Sequence, residues 1–266
     1  MRNKKKIRKV MIFTVVILTL LLMAACGLID SPSGGSSVRQ VAVGEIIQFG
    51  DFEWRVLDVQ GEYALLLSEI IVSYRHYHHR YEAVTWETSE IRQYLNDTFF
   101  NTFSEADRAR IRETTVINNN NPWDFSDWDD GYASAPGGNN TTDRLFLLSI
   151  DEVLQYFGDS GMVTEGATMG VNQRRNNPSG FPNPNRIYYW GIMDENNDVR
   201  IAVDYGPYYV PRRANWWLRS PGFSPYAAAY VDNQGSILLT GYPVFVPRGQ
   251  LGDRGLGLRP ALWLSR

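Results

Sequence analysis

The chain has 266 residues, a formal net charge of −3 and a hydrophobic fraction of 44%, which is enough for one or two folded domains with a buried core. Residues 1–25 carry six of the 26 Lys and Arg residues and none of the 29 Asp and Glu residues. Without this segment the chain has 20 basic and 29 acidic residues, a net charge of −9. This charge argues against a nucleic-acid partner, because phosphate binding needs a basic surface.

The N-terminus is typical of an exported protein. Six basic residues precede an almost unbroken apolar run over residues 10–25, which is short for a membrane span and has the form of a signal peptide. The run ends in Met23-Ala24-Ala25-Cys26-Gly27. Small residues before a cysteine resemble the processing site of a bacterial lipoprotein, although leucine is more usual where Met23 stands. Cys26 is the only cysteine, so it has no partner for an internal disulfide.

This pattern predicts cleavage after residue 25 and a diacylglycerol on Cys26, which would anchor the protein to the extracytoplasmic face of the cell membrane. Two alternatives stay open, an uncleaved N-terminal anchor and an ordinary signal peptide, and both also export the domain. Residues 26–40 are rich in Ser, Gly and Pro and are predicted to form a flexible tether. One α+β domain, expected to be a monomer, is predicted over residues 41–266.

The first half of the domain is predicted to be a meander of three antiparallel strands followed by short helices. Phe52, Trp54 and Val56 alternate with charged residues, which is the period of a half-buried strand. Each predicted helix is preceded by a hydroxyl side chain that can accept a hydrogen bond from a backbone N–H group without a partner in the helix. The predicted N-caps are Thr88 or Ser89, Ser104, and Ser149 with Glu152 as a capping box. Further strands are predicted over residues 145–148 and 187–192, and residues 118–142 are predicted to be a long insertion.

Three buried strands are predicted to close the domain in one sheet, at residues 215–222, 227–237 and 257–264. Each contains one charged residue within an apolar run. A buried guanidinium must be paired, so Arg219 and Arg259 are predicted to form structural ion pairs, with Asp232 and Asp58 as candidate partners.

The order of several sequence blocks resembles the DUF6273 family, a group of uncharacterised domains common in Firmicutes. The blocks are residues 52–57 (FEWRVL), 64–68 (ALLLS), 85–89 (TWETS), 94–96 (YLN), 145–151 (LFLLSID), 216–222 (WWLRSPG), 228–235 (AAYVDNQG) and 257–264 (GLRPALWL). The closing blocks are also similar to C-type-lectin-like folds of the formylglycine-generating and sulfatase-modifying type. The resemblance implies a loop-rich, C-type-lectin-like α+β fold with antiparallel sheets and a few short helices. It does not imply an activity, because such a scaffold hosts both enzymes and binding modules.

Catalysis of the formylglycine-generating kind is excluded, since it uses active-site cysteines and Cys26 lies at the predicted lipid anchor. His76 and His78 would share one face of an extended segment and are a candidate metal pair. Zinc needs three or four ligands, however, and the flanking Arg75 and Arg80 oppose a cation. A solvated loop is the alternative.

Two other groups of residues are candidates for ligand binding. The first is a set of carboxylates that would suit calcium on a flexible loop, with an acidic loop as the alternative: Asp124, Asp127, Asp129 and Asp130. The second is a set of aromatic side chains in or beside loop-rich segments, whose flat faces suit sugar rings or peptides: Tyr188, Tyr189, Trp190, Tyr208, Tyr209, Tyr226 and Tyr242. The alternative for the second set is that the rings cover a sheet.

The sequence therefore predicts a lipoprotein domain that binds a glycan, a peptide or another envelope component without catalysis. No cofactor is expected apart from possible calcium. One alternative is an envelope-acting enzyme that uses Asp127, Asp129 or Asp232 as acid or base. The other alternative is a structural subunit of a membrane complex.

Overall fold

A computed structural model of the protein describes residues 40–122, 135–158, 191–192, 195–205, 211–250 and 252–266. The contacts of the chain group Gln40–Arg266 into one compact unit. Among the described residues, no helix is both long and apolar enough to cross a membrane.

The first sheet contains the predicted meander and the last strand of the chain. Its strands, all antiparallel, are β1 (Ile46–Phe49), β2 (Phe52–Gln60), β3 (Tyr63–Ser68) and β14 (Ala261–Ser265), in the order β1-β2-β3-β14. Trp54 and Val56 on β2 are fully buried and the glutamate between Phe52 and Trp54 is exposed, which confirms the predicted alternation. Gly50 and Gly61 adopt positive φ values at the two turns.

The second sheet has six strands and forms around the WWLRSP segment. Its strands are β4 (Ser73–Arg75), β7 (Gly191–Ile192), β10 (Trp216–Pro221), β11 (Ala227–Val231), β12 (Ile237–Pro243) and β13 (Leu256–Leu258), in the order β4-β13-β10-β11-β12-β7. Only β10 and β13 pair in parallel. All six residues of β10 are buried, because the strand lies inside the sheet and is covered on both faces.

The structure corrects two of the three closing strands. Residues 227–237 are not one strand, because β11 ends at Val231 and β12 begins at Ile237. The Asp232 carboxylate accepts hydrogen bonds from the backbone N–H groups of Gln234 and Ser236, and these bonds stabilise the turn between β11 and β12. Residues 257–264 are likewise divided at Arg259 and Pro260, so that β13 belongs to the second sheet and β14 to the first.

The helices are short, and the first three begin where the sequence predicts, whereas the fourth was not predicted. They are α1 (Glu90–Tyr94), α2 (Glu105–Arg110), α3 (Ile150–Phe157) and α4 (Asn197–Arg200). A π-helical turn (Leu95–Phe99) and a 3-10 turn (Phe100–Thr102) extend α1. The side chains of Ser89, Ser104 and Ser149 each accept a hydrogen bond from the backbone three residues later, and Ser149 with Glu152 forms the predicted capping box.

Two small two-stranded sheets complete the described structure. β5 (Thr114–Val116) pairs with β6 (Thr141–Asp143), and β8 (Ala202–Tyr205) pairs with β9 (Pro211–Ala214). The strand predicted over residues 145–148 is wrong. This buried segment makes a single bridge from Phe146 to Ala261, and the Asn96 side chain contacts the backbone of Leu145 instead of a neighbouring strand.

The buried apolar side chains of both sheets and of α1 and α3 form one continuous core. Four tryptophans are among its largest fully buried members, at positions 54, 86, 216 and 217. The chain is therefore an α+β fold of mostly antiparallel sheets with few, short helices.

Candidate functional site

The histidine-containing segment, residues 76–85, is held on the second sheet by buried contacts. It leaves β4, which pairs with β13. Tyr77 is 2% exposed, and its hydroxyl donates a hydrogen bond to the carbonyl oxygen of Arg219 at 3.0 Å. The backbone N–H of His78 donates to the carbonyl of Val244, also at 3.0 Å. These contacts give the segment a defined conformation although it has no regular secondary structure.

A cleft of about 350 Å³, here called the histidine cleft, lies beside this segment. Its polar lining consists of His76, His78, His79, Glu90, Arg75 and Arg254. The aromatic rings of Tyr74 and Phe245 also line it. Cationic, imidazole and aromatic groups thus face the same space, and they can hydrogen-bond to hydroxyl or carboxylate groups of a ligand while a ring covers its apolar face.

His78, His79 and Glu90 meet at one side of the cleft. One ligand atom from each of the three residues lies within 4.8 Å of those of the other two. His79 Nδ1 is 2.8 Å from Glu90 Oε1, and His78 Nε2 is 2.8 Å from Glu82 Oε1. The backbone N–H of Ile91 donates to the carbonyl of Tyr77, and this contact brings the start of α1 against the histidine segment.

The structure therefore brings His78 together with His79 and Glu90, and not with His76, its predicted partner. His76 packs against Phe245, with ring centroids 4.9 Å apart, and lies outside the cluster. Glu90 was missed because it follows the histidines on a separate helix. The sequence does place Glu90 in the first turn of α1, directly after the Ser89 cap, but this position alone does not show that it faces the histidines.

The two arginines predicted to oppose a cation have different environments. The Arg75 guanidinium stacks over the ring of Tyr94, 3.6 Å from its centroid, and Arg80 is exposed outside the cleft lining. Burial, with a contribution from Asp204, raises the pKa of Tyr74 to about 12. The Tyr74 hydroxyl is hydrogen-bonded to Asp204, which lies outside the cleft lining, so Tyr74 contributes its ring to the cleft.

The Arg219 ion pair exists, but its partner is Glu152. The Arg219 side chain is 2% exposed, and its Nη1 and Nη2 donate to the two Glu152 carboxylate oxygens. It also donates to the carbonyl oxygens of Leu147 and Ile117. The candidate partner Asp232 is instead used in the turn between β11 and β12.

Arg259 is buried without a carboxylate within salt-bridge distance in the part of the chain that the structure describes. Its Nε donates to the carbonyl of Ser68, and its guanidinium lies 5.3 Å from the ring centroid of Trp216. Burial lowers the pKa of Arg259 to about 10, so the group stays charged at neutral pH. Arg259 lines a second cleft of about 310 Å³ with Glu69, Tyr156 and Asp198.

The sequence matches the model of the domain of unknown function DUF6273 over residues 61–266. The chain belongs to the DUF6273 family. No curated protein and no solved structure matches the sequence significantly. The DUF6273 match includes every strand from β3 onward and all residues that line the histidine cleft.

The predicted lipidation site and most of the other candidate ligand-binding residues of this DUF6273 protein lie outside the described residues. They are Cys26, the carboxylates Asp124, Asp127, Asp129 and Asp130, and the aromatic residues Tyr188, Tyr189, Trp190, Tyr208 and Tyr209. Near the beginning of the 118–142 insertion, Asn121 donates hydrogen bonds to the carbonyls of Pro221 and Leu239, which ties the insertion to the second sheet.

The structure pairs Tyr226, one of the candidate aromatic residues, with an exposed ring that the sequence reasoning missed. Tyr81 is 63% exposed and its ring stacks on that of Tyr226, with centroids 5.1 Å apart and an interplanar angle of 23°. Tyr81 belongs to the same segment as the three histidines. The segment therefore contributes both to a polar cleft and to an exposed aromatic surface.

Proposed function

We propose that the protein is an extracytoplasmic lipoprotein anchored to the cell membrane through Cys26. Its domain binds a glycan, a peptide or another envelope component and does not transform it. The basic and apolar N-terminal segment followed by a single cysteine supports the anchor. An anchored domain on a tether can reach ligands in the layer outside the membrane.

The observation that carries the binding proposal is the histidine cleft. It is concave, and it combines arginine and histidine donors with two aromatic rings on a segment fixed by buried contacts. Loops held by a rigid scaffold are the usual place for binding residues. The exposed ring of Tyr81, which stacks on Tyr226 in the same part of the fold, adds a flat surface of the kind on which a sugar ring can pack.

The proposed architecture is C-type-lectin-like. The short helices, the long loops and the mostly antiparallel sheets support it. In such an architecture the chemistry of the loops decides the ligand, so the cleft residues and not the scaffold define specificity.

The test of the binding proposal is a screen of glycans and cell-wall fragments against the soluble domain, residues 38–266, with and without calcium. We expect a hit whose affinity falls about tenfold or more in Tyr81→Ala or Arg254→Ala, because loss of one central contact is worth about 1.4 kcal/mol or more. Tyr205→Ala is the matched control, since Tyr205 is 50% exposed on β8 and lies outside the cleft lining. Absence of any binding, or equal losses in all three variants, would refute the proposal.

The anchor has its own test. In a bacterial host that processes lipoproteins, we expect the wild-type protein to sediment with membranes and to incorporate labelled fatty acid. Cys26→Ser should abolish the incorporation, because the thiol is the acceptor. Equal labelling of the two proteins would contradict the lipoprotein assignment.

A further inference from the structure

One side of the histidine cleft brings the ligand types of a transition-metal site close together. His78, His79 and Glu90 bring two imidazoles and one carboxylate within 4.8 Å of each other. We propose that these three residues bind a divalent metal ion of the zinc class. Nitrogen and carboxylate donors together suit zinc, whereas calcium and magnesium prefer oxygen ligands alone.

The environment of His78 supports this proposal independently of the spacing. His78 is only 8% exposed, and its Nδ1 is buried without a hydrogen-bond partner among the described residues. A buried polar atom without a partner is rare and costly. A bound metal ion at Nδ1 would give this atom the partner it lacks.

Glu82 determines which nitrogen of His78 can bind the metal ion. The Glu82 carboxylate can only accept a hydrogen bond when ionised, so the neutral His78 ring carries its proton on Nε2, 2.8 Å from Glu82 Oε1. The lone pair is then on Nδ1, the atom without a partner. A carboxylate that orients a histidine ligand in this way is a common feature of metal sites.

The other two ligands can move to complete the site. In a tetrahedral zinc site, donor atoms about 2.0–2.1 Å from the ion lie about 3.3 Å apart. The side chains of His79 and Glu90 are 44% and 45% exposed, so small rotations can bring their ligand atoms from the present separations to this spacing. The two carboxylates of Glu82 and Glu90 offset the charge of the ion, while Arg75 is engaged with the ring of Tyr94.

Three protein ligands leave one position of a tetrahedral site open to the cleft. Water or an anionic group of a ligand can fill this position, as in sites where zinc contacts a small molecule. The inference does not depend on the proposed glycan or peptide binding, because metal affinity is measured without any other ligand.

The test is a titration of the full-length chain, in detergent and without an affinity tag, with Zn²⁺ after chelator treatment. We expect one ion per chain in competition with a chromophoric chelator, and visible absorption of tetrahedral type when Co²⁺ replaces Zn²⁺. His79→Ala and Glu90→Gln are the main variants because both side chains are exposed, so that folding is retained. Each should weaken binding at least tenfold, and Glu82→Gln should weaken it about 10–100-fold.

His76→Ala is the matched control, since His76 lines the same cleft outside the cluster. We expect it to retain wild-type affinity. Thermal unfolding of each metal-free variant checks that the fold is intact. Failure to bind one equivalent of Zn²⁺, or equal losses in His76→Ala and His79→Ala, would overturn the proposed site.

Discussion

Removal of the Glu152 carboxylate should destabilise the domain far more than removal of the neighbouring Asp151 carboxylate in the first turn of α3. The carboxylate accepts hydrogen bonds from the buried Arg219 guanidinium and from the backbone N–H of Ser149, the latter at 2.9 Å. In Glu152→Ala, Arg219 would remain buried and charged with only carbonyl oxygens as partners. The helix would lose half of its capping box at the same time.

The magnitude follows from these two losses. Removing one partner of a buried ion pair costs about 3–5 kcal/mol. The Glu152 side chain is 26% exposed, so water can partly solvate the remaining guanidinium and the lower part of that range applies. Loss of a helix cap adds about 1 kcal/mol. We expect a total of about 4–5 kcal/mol in the free energy of unfolding, which corresponds to a fall in Tm of about 8–20 °C for a domain of this size.

Urea unfolding of residues 38–266, followed by tryptophan fluorescence, measures this loss. Asp151→Ala is the matched control, because Asp151 is the exposed acidic neighbour of Glu152 in the same helical turn and contacts only Asn119 among the contacts described. We expect about 0.5 kcal/mol or less for the control. A difference of less than about 1 kcal/mol between the two variants would refute the reasoning.

A double variant separates the buried charge from the cap. Arg219→Met with Glu152→Leu removes both charges and fills the space with apolar groups, which is often neutral or stabilising for a buried pair. We expect it to be more stable than Glu152→Ala alone. If the loss of stability in the double variant equals the sum of the losses in Arg219→Met and Glu152→Leu, the broken ion pair is not the cause of the instability of Glu152→Ala.

Two further predictions concern the backbone and pH. In Gly235→Ala, the new Cβ would overlap the carbonyl of Asn197, whereas Gly44, with nearly the same φ of +87°, has open space around it. Gly44→Ala should therefore cost about 1–2 kcal/mol in urea unfolding and Gly235→Ala clearly more, and equal losses would contradict the steric argument. Burial raises the pKa of Tyr77 above its ordinary value of 10.0, so its contribution to stability is complete below pH 10 and decreases as the pH rises above it. Tyr77→Phe, which also leaves the Arg219 carbonyl without its hydroxyl donor, should cost about 1–3 kcal/mol at pH 7 and less at pH 11, and a pH-independent difference between the two proteins would disprove the assignment.

Parts of the candidate site could be recognised from the sequence and parts could not. The cluster of histidines at 76–79 drew attention to the correct segment. The partner of His79 is Glu90, which belongs to α1 and lies at the cleft because α1 packs on the core and the backbone of Ile91 bonds to Tyr77. The buried, unpartnered Nδ1 of His78 is also a property of the packed structure, since exposure depends on which elements cover a ring.

The sequence by itself determined the features that depend on residues close together in the chain. Ser89, Ser104 and Ser149 cap their helices because each hydroxyl bonds to the backbone three residues later, and the alternation in β2 follows from the geometry of a strand.

Only the tertiary structure decided the pairings between distant residues. Arg219 pairs with Glu152, 67 positions earlier, and not with the nearer Asp232, because α3 packs against β10 while Asp232 is used in its own turn. It also decided that residues 257–264 belong to two sheets, since β13 lies beside β10 and β14 beside β3. Local patterns show that a residue is buried, but the partner of a buried group depends on how the whole chain packs.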